Sequence, residues 1–113
     1  MRTDSNTRYG PEPSRQEIDQ MQGPVLLEFG TNWCGYCQAL DQELTALLDA
    51  YPQLQHIKVE DGPGRPLGRS FRVKLWPNLV FLRDGKVVCQ LARPGREEVR
   101  QALESLILSE PEA

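Results

Sequence analysis

The chain has 113 residues and a mass of 12.8 kDa, enough for one domain around a single hydrophobic core. An apolar fraction of 39% and a mean hydropathy of −0.51 exclude a disordered tail, and no run approaches the ~18 apolar residues of a spanning helix. A net charge of −3 argues against nucleic acid as the main partner, three cysteines are too few for a disulfide-stapled scaffold, and the polar stretch Met1–Pro13 offers no secretory core.

Residues 1–13, with Gly10, Pro11 and Pro13, read as a flexible lead-in, residues 14–109 as the domain, and residues 110–113 as a frayed tail. Ser14 and Glu17 match a capping box, which predicts a short helix over 14–22 ended by Gly23-Pro24. Val25-Leu26-Leu27-Glu28-Phe29 is a nearly continuous apolar run, the pattern of a strand buried on both faces. From Gly35 to Ala50 the period becomes helical, with Leu40, Leu44, Leu47 and Leu48 on one face and Pro52 as the stop. His56-Ile57-Lys58-Val59 is a second short strand. A Gly/Pro-rich segment follows, in which Pro66 opens a short helix toward Leu67 and Phe71. The runs 78–82 and 86–91 flank Asp84-Gly85, a hairpin signal, and Val99, Ala102, Leu103, Leu106 and Ile107 mark a final amphipathic helix. This order implies an α/β domain with a mixed sheet and helices on both faces, without repeats or a second domain.

Trp33-Cys34-Gly35-Tyr36-Cys37 sits where the first strand hands over to its helix. Cys34 falls at the helix N-terminus, where unpaired amides and the macrodipole favour negative charge and hence the nucleophilic thiolate. Cys37 lies one turn in and leans toward the core. A presented sulfur with a sheltered mate is what a dithiol needs to attack a foreign disulfide and then resolve the mixed disulfide. This reading requires Cys34 to be reachable.

Together with Glu28 in the preceding strand, Trp76-Pro77 and the Asp84-Gly85 turn, this motif resembles the thioredoxin family over about residues 24–108. The resemblance implies a central sheet of four strands, or five if Thr7-Arg8-Tyr9, a poor candidate, forms the family's first. It implies a cis Pro77 facing the dithiol and docking the substrate backbone. It places Glu28 as a buried acid beneath Cys37, with Lys58 close by. Burial among Val25, Leu26, Leu27 and Phe29 disfavours a charged Glu28 and suits it to relay a proton to or from Cys37, while Lys58 opposes that shift. Glu28 as a purely structural acid paired with Lys58 is the competing reading. The implied activity is protein-disulfide exchange: Cys34 attacks, Cys37 resolves, and Gly35, Tyr36 and Lys58 tune the couple. Trp33, Trp76, Pro77 and Arg93 form the substrate surface. No cofactor or metal is called for, a reductase supplies electrons, and the protein is expected to be a cytoplasmic monomer acting without nucleic acid or membrane.

Other readings compete. A zinc site needs two more ligands, and only His56 and Cys89 are available, without ligand spacing. Cys89 reads as a small core hydrophobe and His56 as a strand-edge residue without a partner motif. A binding or chaperone module that holds one partner through Trp76 and the basic segment is the alternative function. Three positions depart from the family. Tyr36 replaces its proline and gives Cys-Gly-Tyr-Cys, the dipeptide of periplasmic disulfide isomerases, whose signal peptide and dimerisation domain are not seen here. Trp76 and Arg93-Pro94 replace smaller residues of the docking surface. Residues 62–96 hold eight Lys/Arg and one acid, against five and fifteen in the remainder, which predicts a basic rim beside Cys34 and an acidic disulfide-containing substrate.

Overall fold

The computed structural model describes residues 9–108; Thr7, Arg8 and the 110–113 tail fall outside them. Its central strand, β1 (Pro24–Gly30), is buried from Val25 onward, as its apolar run predicts. Alternate side chains of a strand point to opposite faces, so this one strand feeds two cores. Val25, Leu27 and Phe29 join Ile18, Leu67 and Phe71 on one side, whereas Leu26 joins Leu40, Leu44, Leu48 and Leu103 on the other. Glu28 shares the parity of Leu26 and therefore belongs to the second face.

Four strands form one mixed sheet in the order β2 (Gln55–Glu60), β1, β3 (Asn78–Arg83), β4 (Lys86–Ala92). β2 runs parallel to β1, and β3 runs antiparallel to both β1 and β4. A parallel pair needs a crossover, which is α2 (Gly35–Leu48). α2 and α4 (Arg96–Leu108) cover the Leu26 face, and α1 (Arg15–Asp19) and α3 (Pro66–Ser70) cover the other. Among the described residues no helix is long and apolar enough to cross a membrane.

Local chemistry explains the boundaries. Ser14 accepts from Glu17 N, and the Glu17 carboxylate accepts from Ser14 N, closing the capping box that starts α1. Asp84 and Gly85 both take positive φ, 53° and 81°, the pattern of a tight hairpin turn. The Asp84 carboxylate also accepts from Gly23 N at 2.8 Å, tying that turn to the entrance of β1. α2 ends at Leu48, two residues before the predicted end, and Ala50 and Tyr51 continue as a turn.

The described part of the lead-in corrects the expectation of a loose segment. Gly10 donates to Lys58 O at 3.0 Å and accepts from Glu60 N at 2.8 Å, a single parallel bridge beside β2. Thr7 and Arg8 of the possible fifth strand lie outside the described residues, and the bridge at Gly10 is what the described part of the segment contributes beside β2. Glu12 accepts from Leu67 N at 2.9 Å and caps α3, whose own N-cap residue, Arg65, makes no side-chain bond. Tyr9 is buried. The segment is held by polar groups that meet partners far away in sequence, a signal that periodicity does not carry.

Gly85 provides a test of the packing at this turn. A Cβ there would lie 2.0 Å from Asp19 O, whereas Gly23, at φ 78°, has open space around the same position. Gly23→Ala is expected to cost about 1 kcal/mol of conformational strain. Gly85→Ala is expected to cost about 2 kcal/mol more through the collision, read from urea midpoints. Equal midpoints for the two variants would contradict this packing.

Candidate active site

The end of β1 and the start of α2 set the two sulfurs. Cys34 is the N-cap of α2, in extended conformation, and its carbonyl accepts from Gln38 N at 3.0 Å as the first helical bond. Its Sγ accepts from Cys37 N at 3.2 Å. The sulfur thus takes the place usually held by a Ser or Asp oxygen, and an amide aimed at it favours negative charge. All three cysteines are free thiols. Cys37 has no exposure and Cys34 only 7%, so both are buried, which corrects the expectation of a presented Cys34. The reason is Trp76, which packs against Tyr9, Cys34 and Cys37.

Side chains of the dithiol motif contact those of the segments before β3 and after β4. Trp33, 74% exposed, meets Trp76 edge to face with ring centres 5.7 Å apart. Trp76 Nε1 donates to the Asp61 carboxylate at 2.9 Å, and the Trp76–Pro77 peptide is cis, the form the resemblance implies. From the segment after β4, the Arg93 guanidinium lies 3.8 Å over the exposed Tyr36 ring. Arg93 also donates from its amide to Pro77 O at 2.7 Å and from Nε to Trp76 O at 2.8 Å. It therefore ties the loop before β3, the loop after β4 and the dithiol motif together.

Beneath Cys37 lies a buried polar cluster. Glu28 has no exposure; its Oε2 accepts from the Tyr9 hydroxyl, and its Oε1 is 2.7 Å from His56 Nε2. The β1–β2 register pairs Leu26 with His56 and Glu28 with Lys58, which puts all three polar groups on the α2 face. Lys58 Nζ donates to Asp41 at 2.5 Å, and Asp41 stands one helical turn beyond Cys37. Lys58 Nζ also lies 4.5 Å from the centre of the Tyr9 ring. Burial pushes Glu28 upward, but the bond and charge of His56, the charge of Lys58 and the Tyr9 hydroxyl outweigh it and hold its carboxyl below the usual range. Asp41 goes the other way: burial and the charge of Glu28 push it up to about 6 against the pull of Lys58. Burial, followed by the hydrogen bond to Cys34, pushes the Cys37 thiol up to about 12. The Tyr9 phenol is also driven upward, first by burial and then by the charge of Glu28.

Residues 10–107 match the family model described as Thioredoxin. The chain belongs to the thioredoxin family. Thioredoxin 2 from Pseudomonas aeruginosa PAO1, in its reduced form, is 54% identical and superposes with a TM-score of 0.81, covering 90% of this chain and 96% of that one. A thioredoxin H-type from Ricinus communis is 23% identical over 88 residues, 78% of this chain and 75% of its own. Protein disulfide-isomerase A2 from Pongo abelii is 42% identical over 65 residues, 54% of this chain and 12% of its own. The protein is a thiol-disulfide oxidoreductase, and its class acts on disulfide-containing proteins and draws electrons from reductases.

Of the expected site residues, Trp33 meets Trp76, Trp76 packs against the cluster of Tyr9, Cys34 and Cys37, and Arg93 links Tyr36 with Trp76 and Pro77. Glu28 has His56 and Tyr9 on its two oxygens, while Lys58 pairs with Asp41. Sequence reasoning missed Tyr9, Asp41 and the role of His56. A signal existed for two of them: Asp41 is four residues after Cys37 on a helix, and His56 alternates with Lys58 on a strand. Cys89 packs against the α2/α4 core, and it lies on the opposite edge strand from His56, so these two do not converge on the dithiol. Among the described residues no group of three or more His, Cys, Asp or Glu is placed to hold a metal ion.

The opposed acids are measurable. Carbon-13 NMR of the side-chain carboxyls should place Asp41 near 6 and Glu28 below the ordinary glutamate range. Between its ordinary value of 3.8 and about 6, folded Asp41 binds a proton that the unfolded chain does not. Its contribution to stability therefore rises as pH falls through about 6, and Asp41→Asn should lose that part of the pH dependence. An Asp41 midpoint near 4 would contradict the assignment.

Proposed function

We propose that the protein reduces disulfides in other proteins in a reducing cytoplasm, with the Cys34–Cys37 couple as electron carrier. The observation that carries this reading is the Cys37 amide aimed at Cys34 Sγ at the start of α2, with Cys37 sealed one turn below. Cys34 attacks a substrate disulfide as thiolate and forms a mixed disulfide, releasing the first substrate sulfur. Cys37 then gives up its proton and attacks Cys34 Sγ, which releases the second substrate sulfur and leaves Cys34–Cys37 oxidised. A reductase returns the two electrons. Glu28 handles the proton, Pro77 docks the substrate backbone, and Trp33, Trp76 and Arg93 complete the substrate surface.

Cys34→Ser is expected to abolish reduction of a disulfide-bonded protein substrate. Cys37→Ser should retain the first attack and accumulate the mixed disulfide, visible by mass spectrometry. A Cys34→Ser variant that still binds one partner tightly, beside a wild type of equally negligible turnover, would favour the binding-module reading.

The substrate is proposed to be acidic near its disulfide. Arg65, Arg69, Arg72 and Lys74 line a cleft of about 350 Å³ together with Asp61, the residue that holds Trp76. The cleft therefore adjoins the indole that packs against the dithiol. Arg93 stands over Tyr36, whereas Arg83 is used elsewhere and donates to Leu106 O at 3.1 Å. Charge reversal in Arg69→Glu/Arg72→Glu should lower kcat/KM for an acidic substrate roughly tenfold at low salt and flatten its salt dependence. A wild-type rate that does not fall with ionic strength would remove the acidic-substrate reading.

A further inference from the structure

Cys37 cannot exchange its proton with water directly, because it has no exposure. Yet the resolving step requires that proton to leave. The groups around the sulfur offer one continuous route. A Cβ on Gly30 would lie 2.6 Å from Cys37 Sγ and 2.8 Å from the Tyr9 hydroxyl oxygen, so the sulfur and the hydroxyl meet over a position that only glycine leaves empty. Tyr9 lies with Cys37 in one buried cluster and donates to Glu28 Oε2. The other Glu28 oxygen meets His56, whose side chain is 10% exposed on the edge strand β2.

We infer that the Tyr9 hydroxyl is the proton carrier between Cys37 and Glu28, and that His56 is the exit to solvent. A phenol has one hydrogen and two acceptor lone pairs, so it accepts from a thiol while donating to a carboxylate. In the resolving step the Cys37 S–H bond breaks as a new Tyr9 O–H bond forms, and the original Tyr9 proton moves to Glu28 Oε2. The freed sulfur pair attacks Cys34 Sγ, the Cys34–substrate S–S bond breaks, and the substrate sulfur leaves with its electron pair. Glu28 keeps that proton on Oε2, and His56, whose Nε2–H stays on Oε1, balances it by giving the proton of its far ring nitrogen to solvent. The strongly raised Tyr9 fits a hydroxyl that moves protons without ever holding charge. The trigger is local. The hydrogen bond and charge of Cys34 help to hold the proton on Cys37, and both disappear once Cys34 is bonded to substrate.

Other charged groups facing this route are Asp41 and Lys58, which pair with each other beside it. Their field sets the level of Glu28 without lying on the path. The inference rests on the proposed role of Glu28, and the experiment separates the two.

Reduced protein mixed with excess of the aromatic disulfide DTNB releases one coloured thiolate when Cys34 attacks and a second when Cys37 resolves. Tyr9→Phe should slow the second phase roughly tenfold or more and raise its pH midpoint, with less than a twofold change in the first. His56→Gln should slow the second phase less. In wild type, the second-phase rate plotted against the deuterium fraction of the solvent should be curved, as two protons move together; this measurement does not depend on any variant folding. A linear plot overturns the inference, as does a Tyr9→Phe that slows both phases equally. A slow second phase in Glu28→Gln beside a normal one in Tyr9→Phe removes Tyr9 and leaves Glu28 in place. Normal second phases in both variants remove both.

Discussion

A carboxylate sealed from water dictates much of what surrounds it here. Removing such a charge from solvent without partners costs several kcal/mol even after relaxation, so each oxygen of Glu28 has to be met. His56 meets one from the neighbouring strand, and Tyr9 meets the other from a segment that precedes the first helix. The second partner exists only because the N-terminal segment is held down by the Gly10 bridge to β2 and by Glu12 at the head of α3. The third requirement is space, which Gly30 supplies by having no side chain where Tyr9 and Cys37 converge. Edge pairing, helix capping and the polar floor of the site are therefore one mechanical system rather than three independent features.

That floor gives the dithiol its two unlike sulfurs. Cys34 is seated where helix geometry leaves an amide to point at it, while Cys37 is sealed from water beside Cys34, where burial disfavours its charged form. The same turn of α2 thus places one sulfur where negative charge is welcomed and the other where it is resisted. Sequential chemistry follows from the contrast: the sulfur that attacks first is the one that gains from ionisation, and the one that waits is the one that must be relieved of a proton. The acids below show the same division. Glu28 and Asp41 repel each other, and Lys58 and His56 settle which of them carries the charge.

The frame was legible because local rules set it. Ser14 with Glu17, Asp84 with Gly85, and the leucine spacing after Cys37 each fix a boundary through neighbours a few residues away. The dithiol was legible because four adjacent residues carry it and a helix start is recognisable. The polar cluster was only half legible. Glu28 stood out as an acid in an apolar run, but its partners are 19 and 28 residues away in sequence and are chosen by strand register and by the docking of the lead-in. Tyr9 in particular gives no pattern: one bridge makes no alternation, and a phenol that anchors through its hydroxyl looks the same in sequence as one in solvent. The recess of Cys34 was equally hidden, since it depends on how Trp76 falls once Asp61 holds its indole.

The depth of Cys34 in turn bears on the substrate. A nucleophile with only 7% exposure favours disulfides in extended, accessible segments over those set in a folded core. Arg93 makes the surroundings of Cys34 less compliant, because one side chain stacks on Tyr36 and holds Trp76 while its own amide holds Pro77. The backbone of Arg93 is in the left-handed region at φ 50°, a strain that its three contacts compensate. A smaller residue at 93 would leave Tyr36 and Trp76 to move separately and would widen the range of disulfides admitted. The bulky residues at 36, 76 and 93 are consequently best understood together, because Arg93 contacts both of the others and couples their positions.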